Sequence, residues 1–398
     1  MSGTPTVTQN AVPALEAFVA RAAGQGAALA ATGLPTRRVE AWRYTPLRSI
    51  AETAWQKAAP LTTETATALL DRLVLPETGA RVVYGNGQLL GALSALPEAV
   101  RQASENVSPL KGVFSATLNT ALGERGLDIR VPAGTDAGLL TLVSLSDGQD
   151  VSTHLQHRIV LEDGASLTLY DVSAGEGHYI ANPRFDIVVG KGATLRHVKV
   201  QRESLTATHL AIVSADVAEK GEYDSFTLNQ GSSLARHEAV VTLGAPHAMA
   251  HVNGVQIVDG QRLNDLTSMI HHAAPDGSSR QTVKTVLSEA GQGVFQGKIL
   301  VDRVAQKTDG YQMNQALLLS EKAQINSKPE LEIYADDVKC SHGATVGALD
   351  DEQLFYLRSR GIAEADARDM LVRAFLIDAL DLVSDEGLRD LLLRSMTS

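Results

Sequence analysis

The hydrophobic pattern of this chain changes period twice. Between residues 11 and about 31, Ala14, Leu15, Phe18, Val19 and Ala22 recur at i, i+3, i+4 spacing, the stripe of an amphipathic helix. Gly33-Leu34-Pro35-Thr36 breaks it, and a polar, aromatic knot follows: Glu40-Ala41-Trp42-Arg43-Tyr44-Thr45-Pro46-Leu47. Residues 62–75 carry a further helical pattern. The segment 81–90, RVVYGNGQLL, predicts a hairpin turning on Gly85-Asn86-Gly87, because Asn-Gly supplies the left-handed residues that a tight turn needs.

From about 125 to 345 the period falls to two. Segments 155–161 (LQHRIVL), 167–172 (LTLYDV), 185–189 (FDIVV), 195–200 (LRHVKV) and 238–243 (EAVVTL) are short, β-branched and bounded by Gly or Asp-Gly. Residues 159–170, 187–198 and 216–227 share an aliphatic pair, a charged turn with Gly and a second strand. Their glycines, Gly164, Gly192 and Gly221, lie 28 and 29 residues apart, and Ser288-Glu289 and Ser320-Glu321 mark similar turns 32 apart. Evenly spaced strands with no long helix between them predict a mostly β chain built as a parallel β-helix. A two-sheet sandwich is the alternative that periodicity leaves open.

Beyond 350 the helical period returns. Asp350 with Gln353 resembles a capping box, Leu354, Phe355 and Leu357 form a stripe, and Gly361 suits a helix C-terminus. Further helices are expected over about 363–382 and 385–396. The chain thus divides into an N-terminal helical domain with a small hairpin (1–110), a β-helix core (111–348) and a C-terminal helical domain (349–398). Helical ends would also cap the edges of a β-solenoid, which otherwise pair with other chains.

Composition narrows the function. At 44% hydrophobic and 20% charged residues over 398, the chain has ordinary globular usage, which excludes wholesale disorder. A net charge of −11 disfavours broad contact with a nucleic-acid backbone. Residues 11–32 are interrupted by Glu16, Arg21 and Gln25 and resemble neither a signal peptide nor a membrane span. The single cysteine, Cys340, excludes an intrachain disulfide and a Cys-rich metal site built by one chain. Both features point to the cytoplasm, with no membrane partner.

Two nucleotide-binding lookalikes fail. Residues 84–91 (YGNGQLLG) read better as a hairpin than as a dinucleotide loop. Residues 291–299 (GQGVFQGKI) lack the first glycine of a phosphate loop and place Ile299 where a Ser or Thr would hold magnesium, so no ATP site is readable on this chain. The pairs His247/His251 and His271/His272 read as solvated or core-satisfied histidines, because an isolated pair rarely completes a coordination shell. Asp336-Asp337, as neighbours on a strand, would face opposite ways and make a poor acid/base pair.

The stretch 328–349, KPELEIYADDVKCSHGATVGAL, carries the most chemistry. On a regular strand Cys340 and His342 share one face, with Cα atoms about 6–7 Å apart. Both could contact one metal or sulfur species, and an imidazole can stabilise a thiolate. Two ligands do not close a shell, so a second chain would supply the rest. A buried, inert thiol is the plainer reading of a lone cysteine.

Several segments together resemble the SufB/SufD family, scaffold components of the SUF iron–sulfur cluster assembly machinery. They are Asn314–Ser320 (NQALLLS), Lys328–Ile333 (KPELEI), Asp336–Ala344 (DDVKCSHGA) and Gln353–Gly361 (QLFYLRSRG), supported by Arg38–Thr45, Gly293–Lys298 and Ala305–Asp309. The pattern is closer to the SufD branch, since no second cysteine is available to relay sulfur. The resemblance implies a right-handed parallel β-helix flanked by helical domains. It implies a non-catalytic scaffold subunit that pairs with SufB and binds the ATPase SufC through the C-terminal helical region, with possible help in iron acquisition. It assigns Cys340 and His342 as candidate ligands of iron or of a transient iron–sulfur cluster shared with the partner. The isolated chain could also form a homodimer, since an edge meant for SufB could pair with its own copy. Two rivals stand beside this reading: a β-helix carbohydrate-active enzyme, and a structural docking module in which Cys340 is inert.

Overall fold

The computed structural model describes residues 12–22, 24–102 and 113–397. The expected boundary at 110/111 and the start of the first helix at residue 11 lie outside the described residues. The chain is mostly β, a β-solenoid of about 8 turns with helices at the termini. Each coil contributes one strand to each of two stacks. The first stack runs from Glu124–Val131 to Gln324–Ile333, the second from Asp136–Thr153 to Lys339–Gly347. Every strand pairs in parallel with its counterpart one coil away, as in Thr194↔Glu222 and Glu222↔Met249. The long strands Asp136–Thr153 and Ser166–Ala181 bend around a corner, and Ile180 of the latter pairs with Thr208 of the first stack.

The period-2 pattern exists because one row of each strand faces the interior. Ile129, Ile159, Ile187, Ala215, Val241, Ile270, Ile299 and Leu331 occupy one register position through all the coils of the first stack. All but Leu331 are fully buried. Each fully buried Ile or Val of this row contributes roughly 1.5–3 kcal/mol relative to exposure.

The turns stack as well, and here the glycine alignment shifts. Gly134, Gly164, Gly192, Lys220, His247, Asp276 and Lys307 all have φ between 56° and 68°. Their N–H groups donate to the next coil's turn, as Gly164 does to Lys191 O (2.8 Å) and Gly192 to Glu219 O (2.9 Å). In the third repeat the left-handed position is Lys220 rather than Gly221. The column preserves a backbone conformation, and a non-glycine residue takes it where neighbours hold it.

The helical zones form where expected, with altered bounds. The first divides into Pro13–Arg21 and Gly26–Thr32, separated by Gly24 at φ +81°. A Cβ on Gly26 would stand 2.9 Å from Val19 O, so the second helix approaches too closely for another residue there. The helix expected over 62–75 spans Thr63–Leu70, with the Thr62 hydroxyl accepting from Thr65 N. The hairpin pairs Ala80–Gly85 with Gln88–Leu89 around Asn86 and Gly87, both at positive φ. Its first strand also pairs in parallel with Leu140–Leu145 of the solenoid and covers that sheet edge. The C-terminal helices are Asp351–Ser359, Glu364–Leu380 and Glu386–Thr397, the first capped by Asp350.

The helices lie on sheet faces as well as at the ends. Phe18, Leu29, Trp42 and Trp55 pack with Ile180, Leu210, Leu234 and Leu263. Leu376, Leu380, Leu388 and Leu392 pack with Val198, Val200, Phe226 and Leu228. The last coil is open along its edge: the strands Gln324–Ile333 and Lys339–Gly347 each have a parallel partner on one side among the described residues, which departs from the expectation of capped edges.

Candidate functional site at the last coil

The stretch expected as one strand through His342 is two strands joined by a corner at residues 334–338. Asp336 and Asp337 sit in that corner, so the geometry assumed for them as strand neighbours does not apply. Cys340 and His342 both fall on Lys339–Gly347. They pair with Gly310 and Gln312, buried residues of the seventh coil's inner row. The two side chains therefore share the interior-facing row of a coil whose outer side is uncovered.

Their surroundings differ. Cys340 is half-buried and packs on the last apolar cluster, Ile299, Val301, Ala305 and Ala335. Gly310 makes room for it, since a Cβ there would stand 3.3 Å from Sγ. Burial pushes the Cys340 thiol up from its ordinary pKa and Asp309 adds to this, against a hydrogen bond to the Gly310 backbone. His342 is exposed. No hydrogen bond joins the pair among the described residues. The geometry offers one soft and one borderline donor on one face, with room for further ligands from outside.

The aromatic knot near the N-terminus clamps the helical layer onto the solenoid. The Arg236 guanidinium lies 4.2 Å over the Trp42 ring, and Thr45 donates to Asp265. Lys328 bonds Glu40 at 2.7 Å, and Gln296 Nε2 donates to Ala41 O at 3.2 Å. Arg236 is fully buried between Glu238 (2.8 Å) and Asp265. Burial favours its neutral form, but the two carboxylates outweigh burial and hold it charged. Sequence reading missed this trio: Glu238 is two residues from Arg236 on the same strand, but Asp265 lies 29 residues on, in the neighbouring coil.

A second buried ionic group sits inside the solenoid. Lys199 Nζ bonds Asp171 at 2.8 Å and Ser173 at 3.1 Å, with His197 at 3.5 Å from Asp171. Burial raises the Asp171 carboxyl, yet Lys199 and His197 prevail and hold it below the usual range. A signal existed: Lys199 and His197 share parity with the inward Leu195.

The histidine pairs separate in space. His271 bonds Asp302 and buried His272 bonds Ser279, both at 2.9 Å, as the satisfied reading expects. His247 lies in a turn, whereas His251 lies on a strand facing Glu222 and Asp224. On the C-terminal helices Phe355, Tyr356, Met370 and Ile377 are exposed, Phe355 at 73%. No helix among the described residues is long and apolar enough to cross a membrane.

Fold and site together define a β-solenoid protein with helical termini and a last coil, open at its edge among the described residues, that bears a cysteine and a histidine on one row. The family model described as SUF system FeS cluster assembly, SufBD core domain, matches residues 144–375, and the chain belongs to the SufBD family. It is 34% identical to the iron–sulfur cluster assembly protein SufD of Escherichia coli, covering 90% of this chain and 87% of that one. It is 32% identical to an iron–sulfur cluster assembly SufBD family protein of Synechocystis, over 91% and 88% of the two chains. A SufBD family protein of Mycobacterium tuberculosis is 30% identical over 86% and 83%. Membership places the chain in iron–sulfur cluster assembly.

Proposed function

We propose that this chain is a non-catalytic scaffold subunit of a SUF cluster-assembly complex, working in the cytoplasm. On this reading the open edge of the eighth coil pairs with SufB, and the exposed apolar residues of the C-terminal helical domain receive SufC, which supplies ATP hydrolysis. The three-part division of the chain follows these tasks: an N-terminal clamp, a solenoid scaffold and an ATPase-docking end. The supporting observation is the position of Cys340 and His342 on the inner row of a coil with one uncovered side. Each donor is half of a pair, and a partner's donors can close the shell around iron or a nascent cluster. The acquisition of iron is a natural task for His342, the more exposed of the two.

The test is anaerobic reconstitution of the complex with SufB and SufC, followed by iron and sulfide analysis. His342→Ala is expected to lower the cluster yield severalfold and Cys340→Ser to lower it less. Unimpaired yield in both variants would remove the ligand role.

One observation favours a second reading for the thiol alone. Cys340 packs on an apolar cluster and its pKa is raised, which keeps the reactive thiolate scarce. If the cysteine is inert, its labelling rate will be slow and unchanged by SufB. If partner binding opens the site, the rate will change.

A further inference from the structure

Three donors converge on the outer face of the second stack, away from the last coil. Glu222 and Asp224 lie two residues apart on the strand Glu222–Asn229, so both project to one side. His251, on the next strand, is in direct register with Asp224. Its Nδ1 stands 3.8 Å from Glu222 Oε1 and 3.7 Å from Asp224 Oδ1. One ligand atom from each residue lies within 4.8 Å of the other two. An ion about 2.0–2.2 Å from each donor spans such a triangle after small side-chain movements.

The charge balance also points to a cation. Among the described residues neither carboxylate has a Lys or Arg nitrogen within ion-pairing reach. Arg280, in register with His251, is held elsewhere by Asp309 at 2.8 Å and by the Ser279 carbonyl at 2.9 Å. Arg196, in register with Asp224 on the preceding strand, makes no ion pair with it among the described residues, which leaves two carboxylates facing one imidazole for a dication to neutralise. All three side chains are half-buried, which fixes them while leaving water access to the remaining coordination positions.

We propose that Glu222, Asp224 and His251 form a site for a divalent first-row transition cation of the class Fe(II), Mn(II), Co(II) or Zn(II). One nitrogen and two carboxylate oxygens suit that class. Calcium and magnesium prefer all-oxygen sets and gain little from an imidazole. The site is separate from Cys340 and His342. In the row Asp224, His251, Arg280, Tyr311, Ser341, four inter-strand steps of about 4.8 Å part Asp224 from the last strand. It does not depend on the scaffold reading.

The experiment uses the full chain carrying Cys340→Ser and His342→Ala, so that the other donor pair contributes nothing. Co(II) is titrated by calorimetry and by its visible absorption. One equivalent is expected to bind. Asp224→Asn, Glu222→Gln and His251→Gln, each checked for an unchanged thermal transition, are expected to weaken binding by about tenfold or more. The proposal is overturned by absence of saturable binding at millimolar Co(II), or by binding that survives Asp224→Asn and His251→Gln. It is equally overturned if only the carboxylate variants matter, which would make this an oxygen site. An ion pair only, with Asp224→Asn shifting the His251 titration and no Co(II) uptake, also ends it.

Discussion

His154, His157, His237 and His272 are buried within the solenoid or beneath its helical cover. Burial drives His154 and His157 down to about 3 and His272 down to about 4, and it lowers His237 well below its ordinary value. An unfolded imidazole titrates near 6.5, so between that value and about 4 the unfolded chain binds protons that the native chain refuses. Stability must therefore fall as pH drops through this window. His251, raised by the Asp224 carboxylate facing it at 3.7 Å, works the other way, as do Asp128, Asp216 and Asp265, whose carboxyls burial raises, but the four buried imidazoles carry the larger shifts. Urea midpoints at pH 7 and pH 5 check the sign: the midpoint is expected to be lower at pH 5, and an equal or higher value would contradict it. Of the residues argued here, Cys340 and His342 were legible because i, i+2 parity survives any strand. His251 was not, because its partners lie on the preceding coil, 27 and 29 residues back.

At the scale of elements, the clamp between the N-terminal layer and the first stack is the most exacting contact. Arg236 is fully buried with Glu238 and Asp265 on one side and the Trp42 ring on another. Arg236→Ala leaves two buried carboxylates without their cation, a loss of about 3–5 kcal/mol when one partner of a buried ion pair is removed. Chemical denaturation measures it, and a loss under about 1 kcal/mol would show that water reaches the carboxylates. Arg236→Met with Glu238→Gln and Asp265→Asn should recover part of the loss, since it removes the stranded charges. The knot at residues 40–47 was visible as composition, but its partners lay inside a segment that reads as an ordinary strand. The same limit explains the corner at 334–338. Alternation continued through it in the sequence, and only the turn of the coil divided the stretch into two strands in different stacks.

The whole molecule is a stack with unequal ends. The first coil is covered at one edge by the strand Ala80–Gly85, whereas the last coil presents strand edges unpaired among the described residues, and an uncovered edge invites another chain. Val346 sits at an inner-row position of this edge and is 54% exposed. Val346→Asp is expected to weaken self-association of the isolated chain by about tenfold or more, since a charge on an edge opposes pairing. Light scattering across a concentration series reads this. A wild-type chain that stays monomeric throughout would remove the homodimer expectation, and an unaltered dimer in the variant would move the interface elsewhere.

By itself the sequence determined the repeat, the strand parity, the helical ends and the placement of Cys340 beside His342, because these depend on residues close together in the chain. Tertiary structure alone decided which coil lacked cover, which buried charges met, and which carboxylates faced His251. Each of those is a contact between coils roughly thirty residues apart, set by the register of stacking, and register depends on the packing of all the coils together.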